Sequence, residues 1–180
     1  MRLSLFLFTL LCLPALAERT QTEVTKPTTP HDDARPNDPK VPDVVALTGQ
    51  FDRVVVLRFK YEADLLACLE SALKTEKIQN GVILAGAGSV RNYHIHAVSN
   101  RTFPSKNIYT KDSTSPADIV SMNGYVIDGR VHAHMTMANA EHAFGGHLEP
   151  GTNVFTFAII TVGVFKPGID LKRIDDKTYR

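Results

Sequence analysis

The sequence has little of what usually announces a function. It contains no tryptophan and two cysteines, and 20 Lys plus Arg stand against 19 Asp plus Glu in 180 residues. So few cysteines exclude a scaffold stapled by several disulfides. The balanced charge excludes the strong positive field with which duplex-binding proteins displace counterions, so nucleic acid is not an expected partner. No apolar run reaches the roughly 18 to 20 residues of a membrane helix, and stable membrane insertion is not expected either. Also absent are CxxC, HExxH and GxSxG, each of which would have pointed to a specific chemistry. What remains is 43% hydrophobic residues, enough for one compact domain.

Residues 1–17, MRLSLFLFTLLCLPALA, combine Arg2, an apolar run from Leu3 to Leu13, Pro14, and small residues at Ala15 and Ala17. That pattern predicts a cleavable export signal, a mature chain starting at Glu18, and a periplasmic or secreted protein. Leu10 and Leu11 are too large for a lipoprotein signal ending at Cys12. Loss of Cys12 with the leader leaves Cys68 alone, and its place in an apolar helical pattern predicts burial. Residues 18–46 are rich in Thr, Pro and Asp, with five prolines and no hydrophobic periodicity. They read as a disordered linker, in which His31 is simply solvated.

The folded domain is expected over residues 47–180. FDRVVVLRF, from Phe51 to Phe59, is β-branched and aromatic and predicts a strand. In ADLLACLESALKTEKI, three- and four-residue spacings place Leu65, Cys68, Leu69, Ala72 and Leu73 on one face of a helix. NGVILAGAGSV predicts a buried strand ending in a Gly86, Gly88 turn, and RNYHIHAVSN a half-buried strand. A strand from Asp118 to Val126, a turn at Asp128 and Gly129, then VHAHMTM and VFTFAIITVGVF bring the total to five or six. One helix among many strands predicts an α+β fold, largely antiparallel, with the helix packed on the sheet. Gly86-x-Gly88 lacks the third glycine, the lysine and the following helix of a nucleotide-binding loop.

Chemistry concentrates in GRVHAHMTMANAEHAFGGHLEPG, residues 129–151. Strand side chains alternate, so His132 and His134 project from one face and can converge on one metal ion. His147 follows Gly145 and Gly146, whose access to positive φ would let the chain turn and carry a third imidazole back to the pair. Three neutral imidazoles suit zinc and leave a tetrahedral ion one open position, although other divalent metals also accept them. An isolated HxH on a strand is ordinarily a surface or half-buried pair, and His94-x-His96, with no third histidine close in sequence, is read as structural, the alternative being that it faces the first site. Glu141 and Glu149 could orient a ligand imidazole or act on metal-bound water, but spacing alone does not separate these roles from surface charge.

The order H-A-H, then G-G-H-L-x-x-G, resembles the signature of the plant and prokaryote conserved domain family. The strand FDRVVVLRF, the helix DLLACLESALKTEKI, GVILAGAGSVRNYHI and SMNGYVIDGRVHAHM fall in that family's order too. The resemblance implies an α+β domain that assembles as a trimer, with His132, His134 and His147 as metal ligands, zinc being the usual assignment. The family commonly carries a Glu in the strand after GGHL, whereas FTFAIITV here is uncharged. Plant relatives grip DNA with a separate basic hook, which this chain lacks. A cupin-like barrel also starts a metal site with HxH, but its carboxylate follows sooner than Glu141 does.

Three readings of function follow from these residues. One is a trimeric metal-binding module that takes a small anionic or carbonyl ligand. Another is a zinc hydrolase or hydratase using metal-activated water. The third is a structural oligomerisation domain. No reaction is assigned from the sequence.

Overall fold

The computed structural model describes residues 19–24, 38–100 and 105–174. The expected leader, residues 1–17, lies outside them, as does much of the expected linker. Part of that linker is ordered: β1 (Thr20–Val24) pairs antiparallel with β5 (Asn107–Asp112). A segment without hydrophobic periodicity can still add an edge strand, because ladder hydrogen bonds use the backbone alone.

The remaining elements are β2 (Phe51–Phe59), α1 (Leu65–Thr75), β3 (Asn80–Val90), β4 (Tyr93–Val98), β6 (Ala117–Ile127), β7 (Arg130–Ala138), β8 (Ala143–Leu148) and β9 (Val154–Phe165). A short 3-10 turn at Leu171–Ile174 ends the described chain. The strands form one nine-stranded sheet in the order β1-β5-β4-β8-β7-β6-β3-β9-β2, and every pairing is antiparallel. The expected α+β class holds, with more strands than composition suggested. Helix α1 touches both β7 and β2, which have three strands between them in that order, so the sheet curls around the helix.

Inside the curl lies a single core that includes Leu65, Leu69 and Leu73 of α1, Met122, Met135, Met137, Leu148, Ile160 and Val162. Cys68, expected to be buried, is exposed. Successive helical residues are about 100° apart, which centres the buried stripe on Leu69 and leaves Leu66 and Ala72 as its half-buried flanks. Cys68, on the far side of Ala72, falls outside that stripe. The helix begins at Asp64, whose Oδ1 accepts the Ala67 N–H at 3.0 Å, a side-chain N-cap.

One glycine expectation is corrected and another holds. Gly86 and Gly88 make no turn, because β3 runs through them. A Cβ on Gly86 would lie 2.5 Å from the Met122 Cβ, and one on Gly88, at φ 148°, would lie 2.3 Å from the Phe157 carbonyl. Here glycine permits close approach of neighbouring strands. The turn at Asp128 and Gly129 is present, with φ of 52° and 76°, the two left-handed residues of a tight hairpin between β6 and β7.

Candidate metal centre

Residues paired across an antiparallel ladder share a face of the sheet. Tyr109 of β5 opposes His96 of β4, which opposes His147 of β8, which opposes His134 of β7, which opposes Asn123 of β6. One row of five residues therefore crosses five strands on the face turned away from the core. His132, two residues before His134, adds a fourth imidazole to that face, opposite Tyr125.

The structure brings the three predicted residues together. One ring nitrogen from each of His132, His134 and His147 lies within 4.8 Å of the others. The His132 and His134 rings are stacked at 5.5 Å, and His147 meets both edge-on, at 4.9 and 5.2 Å between centroids. His132 and His134 are exposed and His147 is half-buried. Burial, followed by the neighbouring His96, His132 and His134 imidazoles, pushes His147 down to about 4 despite the opposing pull of Glu149. His134 is shifted down in the same way by burial, His132 and His96. At neutral pH both rings therefore present a lone pair, the form a metal requires. Zinc–nitrogen bonds of about 2.0–2.1 Å put tetrahedral ligand atoms about 3.4 Å apart, so an ion would need only a modest inward closing of this triad.

The expected glycine hinge is not how His147 arrives. Gly145 and Gly146 lie within β8, and neither is among the glycines with positive φ. The reversal occurs earlier, where the Asn139 N–H donates to the His142 carbonyl and its Oδ1 accepts the N–H groups of Glu141 and His142. The two glycines act through their missing side chains. A Cβ on Gly145 would stand 2.3 Å from the Met135 carbonyl oxygen, and one on Gly146 would stand 2.4 Å from that of His96. Cross-strand register then delivers His147 to His134 with no hinge.

His96, read from the sequence as structural with a place facing the first site as the alternative, stands beside the triad, its ring stacked on His147 at 4.5 Å. Its Nδ1 is 2.6 Å from Glu149 Oε1, while the Tyr109 ring lies 5.0 Å away. The only sequence signal for this was the shared HxH spacing, because the β4–β8 pairing joins segments some fifty residues apart. His94 is not drawn in: its Nδ1 contacts the Pro150 carbonyl at 2.9 Å. Glu141 and His142 stay at the exposed hairpin end, with Glu141 85% exposed and 4.0 Å from His142. On the β6 side, a cavity of about 290 Å³ is bordered by Asn123, Tyr125, Ile127, His132, His134 and Ile174.

Comparison with known proteins agrees with the fold. A plant- and prokaryote-conserved protein from Pyrococcus horikoshii superposes with a TM-score of 0.57 at 27% identity, over 71% of this chain and 87% of that one. A metal-containing protein from Archaeoglobus fulgidus superposes with a TM-score of 0.59 at 23% identity, over 68% of this chain and 86% of that one. Among curated proteins, the bifunctional protein GlmU of a Synechococcus strain is 27% identical over 113 residues, 61% of this chain. The chain spans only 17% of that protein's length. The model of the Plants and Prokaryotes Conserved (PCC) domain matches residues 46–166, and the chain belongs to that family.

Proposed function

We propose that this is an exported metal-binding module in which His132, His134 and His147 hold a zinc ion whose remaining position takes a small ligand. The observation that carries the reading is the convergence of three ring nitrogens within 4.8 Å on the open face of the sheet. Partial burial that keeps His134 and His147 neutral supports it. So does the metal content of the Archaeoglobus protein that shares the fold. Zinc would supply a Lewis acid that attracts an oxygen of the ligand. The ligand's body would lie in the neighbouring cavity, where Tyr125, Ile127 and Ile174 offer apolar walls and Asn123 a polar contact. A small carboxylate or carbonyl compound with an apolar body suits that pairing.

Export rests on the leader pattern of residues 1–17. Among the described residues no helix is long and apolar enough to cross a membrane. Self-association, as the trimer that the family resemblance implies, is consistent with an apolar area on the same open face. Val54, Val56, Leu84, Phe155, Phe157 and Ile159 are all exposed on neighbouring strands, an apolar patch of the kind that ordinarily meets a protein partner. No nucleic-acid partner is proposed, since the family domain here carries nearly balanced charge.

Elemental analysis of the purified protein tests the assignment. One zinc per chain is expected in the parent and markedly less in the paired His132→Ala and His134→Ala variant; equal metal in both would defeat it. The hydrolase or hydratase reading needs turnover that is lost in His147→Ala and restored by returning metal to stripped parent protein. Zinc in the parent without such turnover selects the binding module, and absence of metal altogether selects the structural one.

A further inference from the structure

His147 belongs to two ligand sets. Potential ligand atoms of His96, His147 and Glu149 also lie within 4.8 Å of one another. The two sets are built alike. In the triad, His132 and His134 are two apart on one strand and His147 faces His134 across the ladder. In the second set, His147 and Glu149 are two apart in sequence and His96 faces His147 across the next ladder. In each, two side chains two residues apart are closed by a partner across the ladder, with Glu149 lying one residue beyond the end of β8.

The fold holds the second set in place. The Glu149 N–H donates to the His94 carbonyl at 3.0 Å. The fully buried Thr152 accepts the His94 N–H at 2.9 Å, and its hydroxyl lies 3.1 Å from the His94 carbonyl and 3.3 Å from that of Glu149. Asp64 Oδ2 accepts the Gly151 N–H at 2.7 Å, tying the same loop to the start of α1. The result is a carboxylate delivered to His96, with both side chains only about a fifth exposed, at 19% and 21%.

We propose that His96, His147 and Glu149 form a second cation site, which competes with the triad for a single ion through their shared imidazole. The inference rests on the reading of the triad as the zinc site. Three imidazoles favour zinc, and two imidazoles with a carboxylate accept manganese or ferrous iron as well as zinc. Exchange, not joint occupancy, follows from charge. Glu149 is the one carboxylate in the two sets, so two doubly charged ions a few ångströms apart would repel with a single negative group between them. An ion entering the second set takes the place of the His96–Glu149 hydrogen bond.

The test is a manganese titration of metal-stripped protein, followed by the paramagnetic signal of free Mn²⁺, with zinc added as competitor. Parent protein is expected to bind one Mn²⁺ and to release it to one Zn²⁺. Glu149→Gln and His96→Ala should each weaken Mn²⁺ about tenfold or more while holding zinc as the parent does, which also reports that they fold. The paired His132→Ala and His134→Ala variant should keep Mn²⁺ as the parent does and hold zinc more weakly than the parent. Three outcomes would overturn the proposal: Mn²⁺ unaffected by Glu149→Gln and His96→Ala, both ions held at once by the parent, or no saturable Mn²⁺ binding at all. A parent that ignores zinc yet binds Mn²⁺ through Glu149 would keep the second site and remove the triad reading instead.

Discussion

His134 and His147 face each other directly across the β7–β8 ladder, with ring centroids 5.2 Å apart and planes at 88°. A single register shift would send one of the two rings into the core, so the candidate centre is only as secure as that ladder. The same ladder, extended to β4, sets His96 against His147.

Zinc should therefore stabilise the fold through His147. A ligand that binds only the native state at a hundred times its Kd adds about 2.7 kcal/mol. The melting temperature of the parent should rise with added zinc, by roughly 5–10 °C for a domain of this size. His147→Ala should show no such rise while melting within a few degrees of the stripped parent. An equal rise in the variant would place any stabilising zinc elsewhere.

Gly146 should tolerate no side chain. A Cβ there would meet the His96 carbonyl oxygen at 2.4 Å, a backbone atom that can move only by opening the β4–β8 pairing. Gly146→Ala is expected to cost about 1–3 kcal/mol in denaturant unfolding, the usual range for overpacking. It should also weaken Mn²⁺ more than zinc, since β4 supplies His96 to the second set alone. Unchanged stability and unchanged manganese affinity would show that the strands can part without consequence.

Much of this centre was legible in the sequence, and its limits are physical. His132 and His134 could be placed on one face because a strand's side-chain alternation is local. The proximity of His147 was also foreseen, but for the wrong reason: GGH suggests a hinge, whereas the glycines serve strand contact inside β8. His96 was placed at the site only as the lesser alternative, because its position depends on which strands become neighbours, and no local pattern encodes the β4–β8 pairing. Cys68 was misplaced for a related reason, since the helical stripe is centred by what packs on it. Leu65, Leu69 and Leu73 together outweigh one thiol.

Asp112 should make stability depend on acid. Burial alone would push its carboxyl up, but the Thr114 and Ser115 N–H groups and the Thr114 hydroxyl, at 2.9, 2.8 and 3.1 Å, outweigh it and hold the group at about 2. The folded value lies below the ordinary 3.8, so the carboxylate's contribution is present above that pH and is lost as pH falls from 3.8 toward 2. Asp112→Asn keeps an acceptor oxygen and removes the titration. Its unfolding free energy should change less over that interval than the parent's, and parallel curves would refute the assignment.

Asp64 couples the helix to the site. One carboxylate oxygen caps α1 through the Ala67 N–H, and the other holds the Gly151 N–H, two residues beyond Glu149. Asp64→Ala should cost about 1–2 kcal/mol from the lost cap, as at other helix N-termini. It should also loosen the 149–153 loop that presents Glu149 to His96. Asp64→Ser separates the two effects, because a hydroxyl can cap the helix but cannot span both donors. The serine variant is expected to recover most of the stability while its Mn²⁺ affinity stays low and its zinc affinity stays that of the parent. Recovery of both together would mean that the loop is held by Thr152 and Asn153 without help from the helix.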